Sequence, residues 1–418
     1  MPSPTLLPAA PPVGSGPPAR RWRVLPAVAA VLVAVLGAVS VAAGYRLARP
    51  LPDPQVTLTL PGSVVIPGTP PVLPWPAQGQ AALEVVGVGS LGTSGAARPA
   101  PIASVAKVMT AYVVLSDHPL AAGEEGPTMT VSPADAAAYP AQLAANLSLV
   151  KVTANEVLTE RQALVALLLP SADNIAQLLA RWDAGGTEAF LAKMNATAAR
   201  FGMAGTRYTD PSGLDKSTVS TAVDQLKLAE QAMRVPVLAQ IVAMSEATIP
   251  VAGLVKNYNT LLGHDRVVGI KTGSTMAAGG CLVFAVRLSV GGRAVLVLGA
   301  VLGQTGPANR ILPLVLAASQ QLIQAVAPVL GMVTVVRAGQ PVGTVRGPLG
   351  TGTGLVAGAD LAVLGWPGLT VRTTVQVTVP KRVAAGAAVG TVEAAGARVS
   401  LVTTGALTPP DTMSRLTG

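Results

Sequence analysis

The sequence predicts a mixed α/β protein with a small all-β domain after it and a transmembrane helix before it. Residues 24–45 contain no charged side chain. From about residue 77 to residue 327, segments typical of capped helices alternate with segments typical of strands. Residues 328–418 instead hold short β-prone runs separated by Gly and Pro, which predicts a C-terminal β domain.

The N-terminal region predicts a membrane anchor. Residues 1–23 form a Pro-rich tail ending in three arginines, which we interpret as disordered and cytoplasmic. As a helix rising about 1.5 Å per residue, residues 24–45 span a bilayer core, so the chain is predicted to cross the cell membrane once with its remainder outside. A cleaved signal peptide is the alternative, because Ser40-Val41-Ala42 has small residues at suitable offsets. Residues 46–76 contain nine prolines and predict a stiff, extended spacer.

Within residues 77–327, several local signals define elements. Thr159 and Gln162 form a capping box for a helix that Pro170 must end or interrupt, and Thr221 begins a second capped helix. Residues 282–288 and 294–301, joined at two glycines, predict an antiparallel strand pair. Beyond the domain boundary, residues 333–336, 342–345, 370–379 and 399–403 are the clearest β-prone runs.

Composition excludes some classes of function. The net charge is +9 with a pI near 10, but only 12% of residues are charged and 3% are aromatic, which does not suit nucleic-acid binding. Cys281 lies in an apolar run and is interpreted as a buried strand thiol. His118 and His264 have no metal-ligand companions, so neither a metal site nor a cofactor is expected.

Three short polar motifs predict the chemistry. Ser104 and Lys107 are three residues apart at a predicted helix start, so they share a face and the amine can reach the hydroxyl. Ser171-Ala172-Asp173 follows an apolar helix, and Lys271-Thr272-Gly273-Ser274 precedes an apolar strand. The order S-x-x-K, S-x-polar, K-T-G is that of penicillin-recognising acyl-serine enzymes.

Around these motifs the sequence resembles the serine D-alanyl-D-alanine carboxypeptidases, the low-molecular-mass penicillin-binding proteins. The segments that carry the resemblance are residues 101–111, 193–195, 201–203, 210–215 and 257–262. The resemblance covers about residues 75–325 and implies a penicillin-binding transpeptidase-like three-layer fold. In that fold a mostly antiparallel sheet is flanked by helices, and the site lies between the sheet and a helical subdomain.

The resemblance also implies roles, partners and inhibitors. Ser104 would be the nucleophile, Lys107 its base and Ser171 a proton relay, acting on a peptidoglycan stem peptide and acylated by β-lactams. Asp173, Lys271, Thr272, Gly273 and Ser274 would bind the substrate, with the N–H groups of Ser104 and Ser274 as the oxyanion hole.

One position departs from the family pattern, because Asp173 stands where an asparagine is usual. We weigh three consequences: Asp173 disturbs substrate binding, Asn174 takes its place, or Asp173 pairs with Lys271 or stays protonated, leaving Lys107 free as a base. The functional alternatives are a wall-binding protein with a decayed site and a D,D-transpeptidase. A β-lactamase is less favoured because Glu188, Glu230 and Glu246 lack the surroundings of a deacylating glutamate.

Overall fold

The structure is a computed structural model that describes Met1 and residues 24–417, so the tail predicted over residues 1–23 lies, apart from Met1, outside the described residues. The helices in chain order are α1 Val24–Ala48, α2 Lys107–Asp117, α3 Pro133–Ala144, α4 Glu160–Leu168, α5 Asp173–Ala184, α6 Thr187–Arg200, α7 Ala222–Arg234, α8 Pro236–Val242, α9 Ile311–Val326 and α10 Thr412–Thr417.

The strands form one central sheet, one C-terminal sheet and several two-stranded pairs. In chain order they are β1 Gln55–Leu58, β2 Ser63–Val65, β3 Gln80–Val85, β4 Gly89–Ser94, β5 Ala100–Pro101, β6 Thr128–Thr130, β7 Val157–Thr159, β8 Val219–Ser220, β9 Glu246–Ile249, β10 Gly253–Lys256, β11 Val267–Thr275, β12 Gly279–Val290, β13 Arg293–Gln304, β14 Gly331–Val336, β15 Pro341–Arg346, β16 Gly352–Ala357, β17 Leu361–Gly365, β18 Thr370–Val377, β19 Ala388–Ala394 and β20 Ala397–Thr403.

A five-stranded antiparallel sheet, in the order β11-β12-β13-β3-β4, forms the middle layer. Side chains of β12 alternate between its two faces, as the strand period of two requires. Leu282 and Phe284 share a core with helix α9, whereas Cys281 and Val283 share a core with the helices on the opposite side. The three-layer fold is therefore confirmed.

The helix signals of the sequence are confirmed where side chains cap the first turn. Thr159 accepts from the backbone N–H of Gln162, whose side chain bonds back to Thr159, and Thr221 caps α7 by accepting from Asp224 N–H. Helix α4 ends at Leu168, before Pro170. The hairpin of β12 and β13 turns at Gly291 and Gly292, which both have positive φ. Cys281 is buried as expected, and burial raises the pKa of its thiol to about 12.

Within residues 24–417, two helices are long and apolar enough to cross a membrane. One is residues 26–48 within α1, with a mean hydropathy of 2.4 and no burial, which agrees with the predicted anchor over residues 24–45. The other is residues 311–329, so our expectation that only the N-terminal segment is long and apolar enough to cross a membrane is wrong. Because Val315 and Leu322 of α9 are buried against the central sheet, we interpret the second segment as a core helix.

The structure departs from the stiff, extended spacer predicted over residues 46–76, because two strands of that segment pair with C-terminal strands. The second large sheet has the order β1-β15-β16-β20-β19-β18-β2, so two strands of the Pro-rich segment form its two edges. Ile66, just after β2, is buried in the core of this C-terminal β region. Prolines occur beside edge strands because only one side of such a strand needs N–H donors.

Candidate active site

Ser104 and Lys107 meet at the junction between a short turn and a helix. Residues 103–106 form a single 3₁₀ turn, and α2 begins directly afterwards at Lys107. Lys107 Nζ donates a hydrogen bond of 2.8 Å to Ser104 Oγ. The contact predicted from the S-x-x-K spacing is therefore present, although Ser104 precedes the α-helix instead of lying in its first turn.

Lys107 is fully buried, and its three amine protons each have an acceptor. Besides Ser104 Oγ, Nζ donates to the carbonyl oxygen of Ser212 at 2.9 Å and to Asp173 Oδ1 at 2.6 Å. Burial lowers the pKa of Lys107 below its ordinary value, and the Asp173 carboxylate opposes that change. The amine can thus serve as a base only to the extent that burial lowers its pKa more than the ion pair with Asp173 raises it.

The carbonyl of Ser212 is held in place by Asp210. One carboxylate oxygen of Asp210 accepts from the Ser212 hydroxyl at 2.6 Å and from the Leu214 N–H at 2.9 Å. The next residue after Ser212, Gly213, has a φ of +81° and no room for a side chain, because a Cβ would lie 1.8 Å from the carbonyl oxygen of Ala103. This loop is one of the segments that carried the family resemblance, but its contact with Lys107 was not anticipated.

Ser171 and Asp173 are positioned by the turn between α4 and α5. Ser171 has a φ of +65° and is almost fully buried, and its hydroxyl has no hydrogen-bond partner among the described residues. Asp173 is the first residue of α5, and its second carboxylate oxygen accepts from Ser148 N–H at 3.2 Å. The Ser148 carbonyl accepts from Asp173 N–H at 2.7 Å, so the two backbones fix the carboxylate beside Lys107.

Two expectations about the middle motif are wrong. Asn174 does not take the place of Asp173, because its amide donates to the carbonyl of Val150 at 2.9 Å and accepts from that residue's N–H at 3.3 Å. Asp173 forms its ion pair with Lys107 and not with Lys271, since the ion pairs of residues 24–417 include the former contact and not the latter. The carboxylate therefore acts directly on the predicted base.

The K-T-G motif lies on β11, the edge strand next to the Ser104 turn. Lys271 is 1% exposed, its Nζ donates to the carbonyl of Thr272 at 3.1 Å, and burial together with the nearby Lys107 lowers its pKa well below the ordinary value. Gly273 allows the strand to approach Ser104, because a Cβ there would lie 2.9 Å from the backbone nitrogen of Ser104. The motif thus requires glycine for steric reasons.

These elements enclose a cleft of about 190 Å³. Five predicted site residues line it, while Lys107, Asp173 and Lys271 lie behind its wall. The lining residues are Ser104, Ser148, Ser171, Tyr258, Thr272, Gly273, Ser274 and Leu312. Sequence reasoning missed Ser148, Tyr258 and Leu312; only Tyr258 lies in a segment that carried the family resemblance.

Comparison with known proteins identifies the family. A model of the D-alanyl-D-alanine carboxypeptidase family matches residues 91–301, half of the chain. The chain belongs to this family. This match confirms the family predicted from the three motifs, and the members of that family are serine hydrolases.

The relatives include enzymes of several names. The chain is 34% identical over 195 residues to the D-alanyl-D-alanine endopeptidase of Escherichia coli, covering 44% of this chain and 58% of that protein. It is 37% identical over 185 residues to the D-alanyl-D-alanine carboxypeptidase DacB2 of Mycobacterium tuberculosis, covering 43% and 59%. The chain thus spans less than two thirds of the length of these two relatives.

Among solved structures, the Streptomyces K15 DD-transpeptidase is similar with a TM-score of 0.53 and 27% identity. The match covers 62% of this chain and 98% of that one. That transpeptidase therefore shares the fold of the part of this chain that the match covers.

Proposed function

We propose that this chain is a serine D-alanyl-D-alanine carboxypeptidase that removes the terminal D-alanine from peptidoglycan stem pentapeptides. The observation that carries the proposal is the 2.8 Å contact between Lys107 Nζ and Ser104 Oγ beside an open cleft. A serine that donates to no base is a weak nucleophile, whereas an adjacent neutral amine can take its proton. The same contact disfavours a wall-binding protein with a decayed site.

In the proposed reaction Ser104 Oγ attacks the carbonyl carbon of the penultimate D-alanine while its proton passes to neutral Lys107. The N–H groups of Ser104 and Ser274 stabilise the oxyanion. The amide C–N bond then breaks, and the departing amine receives a proton through the hydroxyl of Ser171. Water attacks the resulting ester, and Ser104 regains its proton as the stem tetrapeptide leaves.

The substrate carboxylate would lie at the other end of the cleft, toward β11. Thr272 lines the cleft there, and Lys271 lies immediately behind it. A carboxylate arriving at this end favours the charged form of Lys271, so the buried amine and the substrate stabilise each other.

The proposal is tested with the detergent-solubilised full-length chain and a peptide ending in D-Ala-D-Ala. We expect release of free D-alanine and, with benzylpenicillin, a covalent adduct on Ser104 detected by intact mass. Ser104→Ala should lose both, while Ser116→Ala, a serine on α2 outside the cleft, should keep both. An adduct on the Ser104→Ala protein would contradict the assignment of the nucleophile.

The same experiment separates hydrolysis from its alternatives. The relatives are named carboxypeptidase, endopeptidase and transpeptidase, so the acceptor of the acyl group is part of the proposal. An added D-amino acid that appears in the product in place of water would indicate D,D-transpeptidation. Cleavage of a cross-linked dimer but not of the pentapeptide would indicate an endopeptidase.

We also propose that residues 24–45 anchor the chain in the cell membrane once, with residues 77–327 as an extracytoplasmic catalytic domain and residues 328–418, joined by β1 and β2, as a β domain. The unburied apolar helix α1 supports the anchor. The intact mass of the chain purified from membranes tests it: a mass lacking residues up to about position 42 would indicate a cleaved signal peptide.

A further inference from the structure

The end of α1 carries a second candidate binding site, far in sequence from the cleft. Helix α10 packs against the last turn of α1, and the two are joined by arginines. Arg415 Nη2 donates to the carbonyls of Leu47 and Arg49 at 2.6 and 2.9 Å, and Arg46 Nη1 donates to the carbonyl of Leu416 at 2.7 Å. These bonds bring three guanidinium groups, those of Arg46, Arg49 and Arg415, to one place.

The three arginines line a cavity of about 520 Å³. Prolines and the side chains of Leu51 and Leu349 form the rest of its wall. Within residues 24–417, none of the three guanidinium groups has a carboxylate within 4 Å. The cavity therefore combines a concentration of positive charge with an apolar side, which suits an amphiphilic anion.

The position of the cavity along α1 indicates which anion it meets. The 23-residue candidate span of α1, residues 26–48, is about 35 Å long as a helix, slightly more than a bilayer core of about 30 Å. Arg46 and Arg49 come at the end of that span, at the depth of lipid headgroups. Arg49 also stacks on the ring of Tyr45, with 5.5 Å between its Cζ and the ring centroid, and such aromatic side chains are typical of the membrane interface.

We propose that Arg46, Arg49 and Arg415 bind the phosphate of an anionic glycerophospholipid, and that Leu51 and Leu349 contact its glycerol and upper acyl chain. This inference goes beyond the proposed peptidase activity and does not depend on it. It rests on the proposed retention of α1 as an anchor. Binding would fix the β region at the membrane surface, because β1 begins only seven residues after α1 ends.

The test is native mass spectrometry of the detergent-solubilised full-length chain with phosphatidylglycerol or phosphatidylcholine of equal chain length. We expect selective retention of phosphatidylglycerol, weakened about fivefold for each arginine replaced by glutamine. R46Q/R49Q keeps Arg415 and its two carbonyl bonds, so it remains informative if R415Q loosens α10. The control R207Q/K256Q/R337Q removes three exposed charges elsewhere and should bind like wild type.

Several results would overturn the proposal. One is equal retention of the two lipids; another is undiminished phosphatidylglycerol binding by R46Q/R49Q. Displacement of the lipid by millimolar inorganic phosphate at constant ionic strength would assign the cavity to a free anion instead. The same spectra report the mass of the chain, so a form lacking α1 would refute the anchor and with it this site, while the peptidase assay stands apart.

Discussion

Replacing Asp173 by asparagine should make the enzyme faster at neutral and mildly acidic pH. The carboxylate lies 2.6 Å from Lys107 Nζ, and both groups are buried, so it stabilises the ammonium form that cannot act as a base. An opposite charge at such a distance favours the charged form of a lysine and raises its pKa. Removing it should therefore move the acidic limb of the rate profile to lower pH.

The expected change in rate follows from the direction of this shift, because without the Asp173 carboxylate the pKa of Lys107 is lower. Below the pKa of Lys107, the fraction of neutral amine then rises about tenfold for each pKa unit by which that value falls. A base that is weaker by the same amount accepts the proton less readily, so we expect a net acceleration of about tenfold. At pH values above both pKa values the wild type should match or exceed the variant.

The assay is the rate of acylation by a fluorescent penicillin from mildly acidic to mildly basic pH. Asp215→Asn is the matched control, because Asp215 is an exposed carboxylate two residues past Gly213 in the same loop and does not contact Lys107. It should leave the profile unchanged. A folded Asp173→Asn protein that is tenfold slower across the whole range, or that keeps the wild-type acidic limb, would refute the reasoning.

Two further predictions concern single side chains. Gly273→Ala should still fold but lose at least tenfold in acylation rate, since its Cβ would lie 2.9 Å from Ser104 N. Gly331→Ala, where the added Cβ meets no atom within 4 Å, is the control. A Gly273→Ala protein with wild-type activity would contradict the close approach. Burial raises the pKa of Glu160 from 4.5 to about 7, so the free energy of unfolding falls by up to about 3 kcal/mol as pH rises through that interval. Glu160→Gln should remove this loss of stability, and exposed Glu188→Gln should not. Urea unfolding at pH 5 and pH 8 measures the difference.

Local signals in the sequence predicted local structure well. The capping box of Thr159 and the glycine turn at Gly291 depend on neighbours within a few residues, and both are present as expected. The spacing of Ser104 and Lys107 also predicted their contact, although Ser104 lies in a 3₁₀ turn and not in the α-helix. Each of these depends on chain geometry that tertiary packing does not override.

The errors arose where the partner is distant in sequence. Whether Asp173 pairs with Lys107 or Lys271 depends on how the turn before α5 packs against α2 and β11, and the motif spacing carries no information on this. Ser148 was missed because it contributes its backbone, which no side-chain motif reports. Leu312 was missed because an apolar helix residue resembles any other core position.

The Pro-rich segment gives a prediction that distinguishes a spacer from a structural part of the β region. Ile66 is 1% exposed in the C-terminal β core, and its backbone bonds to Leu369 and Gly368. Replacing a buried isoleucine by alanine costs about 2 to 5 kcal/mol through lost burial and the cavity left behind. We expect Ile66→Ala to accelerate amide hydrogen exchange in β18 at least about thirtyfold.

Val72→Ala provides the matched control, because Val72 belongs to the same Pro-rich segment, is also β-branched and is 95% exposed. Its replacement removes almost no buried surface, so exchange in β18 should stay at the wild-type rate. Equal exchange rates in the two variants would mean that residues 46–76 are the stiff, extended spacer expected from their composition. Faster exchange in Ile66→Ala alone would mean that the chain leaving the membrane is built into the β region, whose position relative to the bilayer is then set by strand pairing and not by the length of a flexible linker.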